Sequence, residues 1–126
     1  MGSFAQPRYG GSALPGNAET VVLFSTVTAF PAKSMAAMIG IARLIIDIKH
    51  DQSGTMKAYR SQNRGVTWNQ FYDSGAIAAP AATSSTIRDI AIEPYMDVKV
   101  EWLNGATPQT TFIVDMALVE ERGPLV

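Results

Sequence analysis

From Tyr95 to Leu103 the chain alternates apolar and polar residues with a period of two, the spacing of a half-buried β-strand. Met96, Val98, Val100 and Trp102 fall on one face, and Asp97, Lys99, Glu101 and Leu103 on the other. Asn104-Gly105 follows, a dipeptide that closes tight two-residue hairpins. Thr110 to Leu118 then repeats the alternation, with Phe112, Val114, Met116 and Leu118 inward. The same reading predicts a strand over Thr20–Ala29, with Val22, Phe24 and Thr26 on one face, and another over Ile41–His50, with Leu44, Ile46 and Ile48 together. Asp51-Gln52-Ser53-Gly54 reads as a turn with Gly54 at positive φ. Thr55–Ser61 is then its hairpin partner, and Val66–Tyr72 and Ile87–Ile92 are further strands. Residues 74–86 are uncharged and rich in Ala and Ser, and read as a long loop. Met35, Met38, Ile39 and Ala42 have helical spacing, but Gly40 limits any helix there to a turn or two.

Short strands at regular spacing, with turn residues between them, predict an all-β fold: an antiparallel β-sandwich, jelly-roll-like. No fixed period repeats, so a solenoid or propeller is not expected. Residues 1–19 carry Gly2, Gly10, Gly11 and Gly16 with Pro7 and Pro15. They read as a flexible N-terminal arm whose aromatics, Phe4 and Tyr9, are anchors for a neighbouring subunit. The sandwich is expected over residues 20–119 and a C-terminal tail over 120–126.

Composition narrows the function. A chain of 126 residues is one domain by the usual length prior. Net charge is -1, which lacks the cationic face of a nucleic-acid binder. Cysteine is absent, which excludes disulfides, thiol catalysis and cysteine-based zinc sites. The longest apolar stretch, Met35–Ile48, is shorter than the roughly 20 residues of a spanning helix, so no membrane partner is expected. Met1–Gly16 shows no basic segment followed by an apolar core, so synthesis in a cytoplasm is expected. Charged residues make up 17% of the chain, against about 25% in soluble domains. Low charge, together with Ile45, Leu103 and Ile113 on presumptive outer faces, predicts an interface and a homo-oligomer.

The most specific local string is Ser61-x-Asn63-x-Gly65-x-Thr67-Trp68. It resembles the Asp-box of sialidases and related β-proteins, with Asn in place of Asp. The chemistry of such a box is structural: the Asx side chain bonds turn amides, Gly takes positive φ, and Trp packs beneath the hairpin. His50-Asp51 has the composition of a general base and its orienter, but no nucleophile elbow accompanies it, and neighbours on a strand face opposite ways. Asp97, Glu101 and Asp115 read as a solvated face around Lys99 rather than as a glycosidase pair or a calcium site. Tyr59, Trp68, Phe71, Tyr72, Tyr95 and Trp102 offer either core residues or a sugar-stacking platform. No catalytic residue, cofactor or metal ligand is assigned.

From the Asp-box-like hairpin through Tyr95-Met-Asp-Val-Lys-Val-Glu-Trp-Leu-Asn-Gly to Gln109-Thr-Thr-Phe112, the chain resembles small β-sandwich virion proteins of tailed bacteriophages, of the capsid decoration or cement type. The resemblance covers roughly residues 41–119. It implies a non-enzymatic homo-oligomer, a trimer by preference, seated on the capsid surface of a virion and bound to the major capsid protein or another virion protein. The alternative is a carbohydrate-binding module or receptor-binding tail domain. A small hydrolase is a third and weaker reading.

Overall fold

The computed structural model describes residues 2–3, 8–9, 14–29, 41–80, 85–92 and 96–120. Phe4, the segment with helical spacing up to Gly40, Tyr95 and residues 121–126 lie outside them, as do the side chains of Tyr9 and Leu118. The elements are β1 (Gly2–Ser3), β2 (Arg8–Tyr9), β3 (Thr20–Ser25), α1 (Thr26–Ala29), β4 (Ile41–His50), β5 (Gly54–Ser61), β6 (Asn69–Ile77), β7 (Thr86–Ala91), β8 (Asp97–Asn104) and β9 (Phe112–Glu120). One sheet runs β9-β4-β7, with β1 and β2 both paired to the outer edge of β9; the other runs β3-β8-β5-β6. Every pairing is antiparallel. The fold is the expected antiparallel β-sandwich.

Its core is the set of inward residues of both sheets. Leu44, Ile46 and Ile48 on β4 and Val114 and Met116 on β9 meet Met56 and Ala58 on β5 and Val98, Val100 and Trp102 on β8. Each fully buried aliphatic side chain contributes about 1.5–3 kcal/mol of transfer free energy. Most residues of opposite parity on the same strands stay at least partly exposed, as the period of two requires, but Ser61 and Asp97 at the strand ends are buried.

Strand partners differ from the sequence expectation. Neither Ile41–His50 with Thr55–Ser61 nor the two strands around Asn104-Gly105 form a hairpin: β4 and β9 lie in one sheet, β5 and β8 in the other. Both connections are arches that change sheet. Their polar groups are satisfied by each other. Gln109 Oε1 accepts the amides of Asp51 and Gln52 at 3.0 and 2.9 Å, and the Gly105 amide donates to Ser53 O at 3.1 Å. Gly54 is not at positive φ. It is buried because a Cβ there would stand 2.2 Å from the Trp102 ring. Among the described residues, β5 and β6 are the one consecutive pair that forms a hairpin.

The first predicted strand stops at Ser25, and α1 follows. A register shift between Val22 and Phe24 inserts one residue into β3. Leu23 and Phe24 are therefore both buried while Val22 is exposed, against the simple alternation expected. The strand expected at Val66–Tyr72 instead spans Asn69–Ile77 and so takes in residues 74–77 of the predicted loop. Within the expected arm, Gly2 and Ser3 pair with Glu120 and Val119, and Arg8 and Tyr9 with Asp115 and Val114 of the same chain. Pro15 and Gly16 are held as well, since Pro15 O accepts from the Gln109 amide at 3.0 Å and Gly16 O from Asn104 Nδ2 at 2.7 Å.

Candidate functional site

The Asp-box-like string forms the loop between β5 and β6. Ser61 Oγ accepts the Gly65 amide at 2.9 Å and donates to Asn63 Oδ1 at 2.7 Å. Asn63 Oδ1 also accepts the Thr67 amide at 2.9 Å. Asn63 O accepts the Val66 amide at 3.3 Å around Arg64 and Gly65, whose φ angles are 58° and 87°. Two central residues at positive φ are what a type I′ turn needs. The left-handed backbone at Arg64 costs about 1–2 kcal/mol. It also aims the guanidinium at Asp97, with Nη1 2.9 Å from Oδ1. Thr26 of α1 donates to the same oxygen at 2.7 Å, so the loop, α1 and β8 are tied at one fully buried carboxylate. Asp97 Oδ2 is buried without a hydrogen-bond partner.

Trp68 is only half-buried and stands outside the core cluster. Lys99 Nζ lies 4.9 Å from its ring centroid and 5.0 Å from that of Tyr59. Burial, with the charge of Glu101 nearby, pushes the Tyr59 phenol above its ordinary range. These rings are thus engaged by the chain's own ammonium, a cation–π arrangement rather than an open sugar platform. Gly65→Val is expected to lose about 1–3 kcal/mol, because a branched residue is forced to positive φ against Trp68 and Val27, which a Cβ would meet at 3.1 and 3.3 Å. Trp68→Ala is expected to cost about 1–2 kcal/mol, below the roughly 3–5 of a fully buried ring. Urea unfolding of both variants measures the difference.

At the arches, Asn104 is the centre of a buried network. Its Oδ1 accepts from Trp102 Nε1 at 3.0 Å and Gln109 Nε2 at 2.8 Å. Its Nδ2 faces the carbonyls of Pro15, Gly16 and Thr107 at 3.3, 2.7 and 3.0 Å. His50 packs edge-on to Trp102, with ring centroids 5.0 Å apart. His50 Nδ1 lies 2.7 Å from Gln52 O, an acceptor, so Nδ1 carries the proton and Nε2 accepts from Thr86 Oγ1 at 2.8 Å. Both ring nitrogens are within hydrogen-bond distance of a partner and the ring is buried. A cleft of about 360 Å³ opens beside it, lined by Lys49, Asp51, Gln52, Pro80 and Thr111 with His50. A smaller one of about 170 Å³ lies by Arg60, Gln62, Asn69 and Met96.

Asp51 accepts the amides of Thr110 and Thr111 at 2.8 and 2.9 Å, and the Thr110 hydroxyl donates to its other oxygen. These hydrogen bonds, led by that of the Thr110 side chain, lower its pKa from 3.8 to about 2. A depressed carboxylate pKa stabilises the fold above the unfolded value. That stability is present above the ordinary 3.8 and is lost as pH falls through about 2. Asp51→Asn is expected to lower stability at neutral pH and to flatten this acid limb, as read from urea midpoints across the acid range.

The expected interface residues do not gather. Ile45 and Ile113 are on the outer face of the β9-β4-β7 sheet, while Leu103 is on that of the other sheet. Between Ile45 and Ile113 lies the row in which Asp47 opposes Asp115, so even these two are separated by carboxylates. The most exposed large apolar residues are Val66, 82% exposed at the loop tip, and Ile87, 59% exposed on β7.

These features define a β-sandwich whose ends are locked by buried polar networks. The crystal structure of the PBSX exported protein XepA has a similar fold, with a TM-score of 0.67 at 13% sequence identity over 99% of this chain. The chain spans 38% of the length of that neighbour. At this identity the likeness is one of fold. No family model matches the chain, and no curated protein matches it.

Proposed function

We propose that this chain is a non-enzymatic, phage-related virion protein that attaches to the capsid surface and stabilises it as a decoration protein. The observation that carries the phage reading is the fold likeness to the PBSX exported protein, which extends along almost the whole chain. The position on the capsid rests on the resemblance of residues 41–119 to decoration proteins. The polar side chains support a structural role: Asp51, Asn63, Asp97, Asn104 and Gln109 are all spent on holding loops. A rigid sandwich held in this way suits burial of surface between repeated copies on a shell. The carbohydrate alternative has less support, since Trp68 and Tyr72 are half-buried and Tyr72 packs on the core.

The test is electron cryomicroscopy of particles from the source phage, with and without this gene product. Density for the sandwich on the head surface is expected, together with earlier release of nucleic acid on heating when it is missing. Particles that never contain the chain would overturn the reading. Attachment to the tail alone would overturn its capsid part.

A further inference from the structure

Sheet edges offer unpaired main-chain groups, and folded proteins blunt them. Among the described residues the two sheets have four edges, and three of them are blunted. The outer edge of β9 is strapped by β1 and β2. β3 carries the bulge between Val22 and Phe24. β6 carries two extra residues against β5, one of them at Gly75, whose φ is 69°. The fourth edge strand, β7, is regular: Thr86 to Ala91 pair with Ile48 to Arg43 without a shift. Among the described residues its far side has no strand neighbour, and it exposes Ile87. The Ile87 carbonyl is met by the guanidinium of the adjacent Arg88 at 3.1 Å.

We propose that the edge of β7 left open by the described strands pairs antiparallel with β7 of a second copy of this chain, joining two sheets into one across a two-fold axis. The charge pattern rules out two registers, and the exposed Ile87 favours a third. Centred on Arg88 or on Asp89, the pairing sets like charges directly opposite each other, which destabilises a sheet. Centred on Ile87, it sets Ile87 against its own copy, Thr86 against Arg88, and Ser85 against Asp89. No like charges then meet, and Asp89 stays neutralised by Arg43 at 2.8 Å. A main-chain donor replaces the Arg88 guanidinium at the Ile87 carbonyl. The symmetry is two-fold, so the assembly unit is a dimer in place of the trimer expected from the sequence.

The chain has no cysteine, so single cysteines report the contact cleanly. Light scattering on the wild-type chain is expected to show a concentration-dependent dimer. Ile87→Lys, at an exposed position, is expected to weaken it about tenfold or more with unchanged circular dichroism. Under mild oxidation Ile87→Cys is expected to give a disulfide-linked dimer, while Val66→Cys, more exposed but off the edge, is expected to stay unlinked. A wild-type chain that is monomeric at every concentration overturns the pairing. So does a dimer in which Ile87→Cys fails to link or Val66→Cys links equally well. All three measurements use the isolated chain, so their failure leaves attachment to a capsid standing.

Discussion

Asn104→Asp is expected to destabilise the chain by about 3–5 kcal/mol at neutral pH, although it changes one atom. The asparagine amide nitrogen faces three carbonyl oxygens and its carbonyl takes two donors. A carboxylate keeps the two donors but turns an oxygen toward Pro15, Gly16 and Thr107. Each orphaned buried group costs about 1–3 kcal/mol, and a charged one more. Asn104→Ala is expected to fall short of the Asp variant, because it removes the hydrogen bonds without adding repulsion. Urea midpoints for both, with Asn17→Asp at an exposed turn as control, settle the ranking. A loss below about 1 kcal/mol for Asn104→Asp would mean that the hub carries little of the fold's stability.

Gly54→Ala has the second large effect. The new methyl would fall 2.2–2.9 Å from three atoms of the Trp102 six-membered ring. Trp102 is fully buried against Phe112 and His50 and has no room to retreat. Overpacking of this kind costs about 1–3 kcal/mol and sometimes more. Trp102→Phe removes the ring that clashes, so the double variant is expected to be more stable than the two separate losses add up to. Thermal melts of the four proteins measure the coupling. Strict additivity would place Trp102 elsewhere than against Gly54.

The faces of the strands were legible because alternation is a local property. Leu44-x-Ile46-x-Ile48 and Val98-x-Val100-x-Trp102 can serve no other sheet geometry, and all six side chains are buried. Partners were not legible, because pairing is decided by side chains far away in the chain. Asn104-Gly105 carries the usual turn signal, yet Asn104 is committed to Trp102, Gln109 and residues 15–16, and that commitment prevails. Gly54 has the composition of a turn, but the ring it must clear lies on β8. The turn chemistry of the loop at Ser61–Trp68 is local, because Ser61, Asn63 and Gly65 act within a few residues. Its clamp to Asp97 was missed, since Arg64 gives no local sign of a partner 33 residues on. Gln109 gives no local sign for the same reason: the four hydrogen bonds of its side chain all depend on arches that only the folded chain brings together.

The scarcity of hairpins has a kinetic consequence. Apart from β5 and β6, the described strands find partners across long stretches of chain, with Thr20 meeting Leu103 and Ile48 meeting Val114. Loop-closure entropy must be overcome before those contacts return any energy, and sandwiches of this kind fold in milliseconds to seconds rather than microseconds. The β5–β6 hairpin, with its type I′ turn already specified, is the natural nucleus. Until β9 arrives, one edge of β4 stays unpaired and open to other chains. Crowded synthesis therefore leaves the main-chain groups of Ile41–His50 open to pairing with another chain for as long as β9 is late.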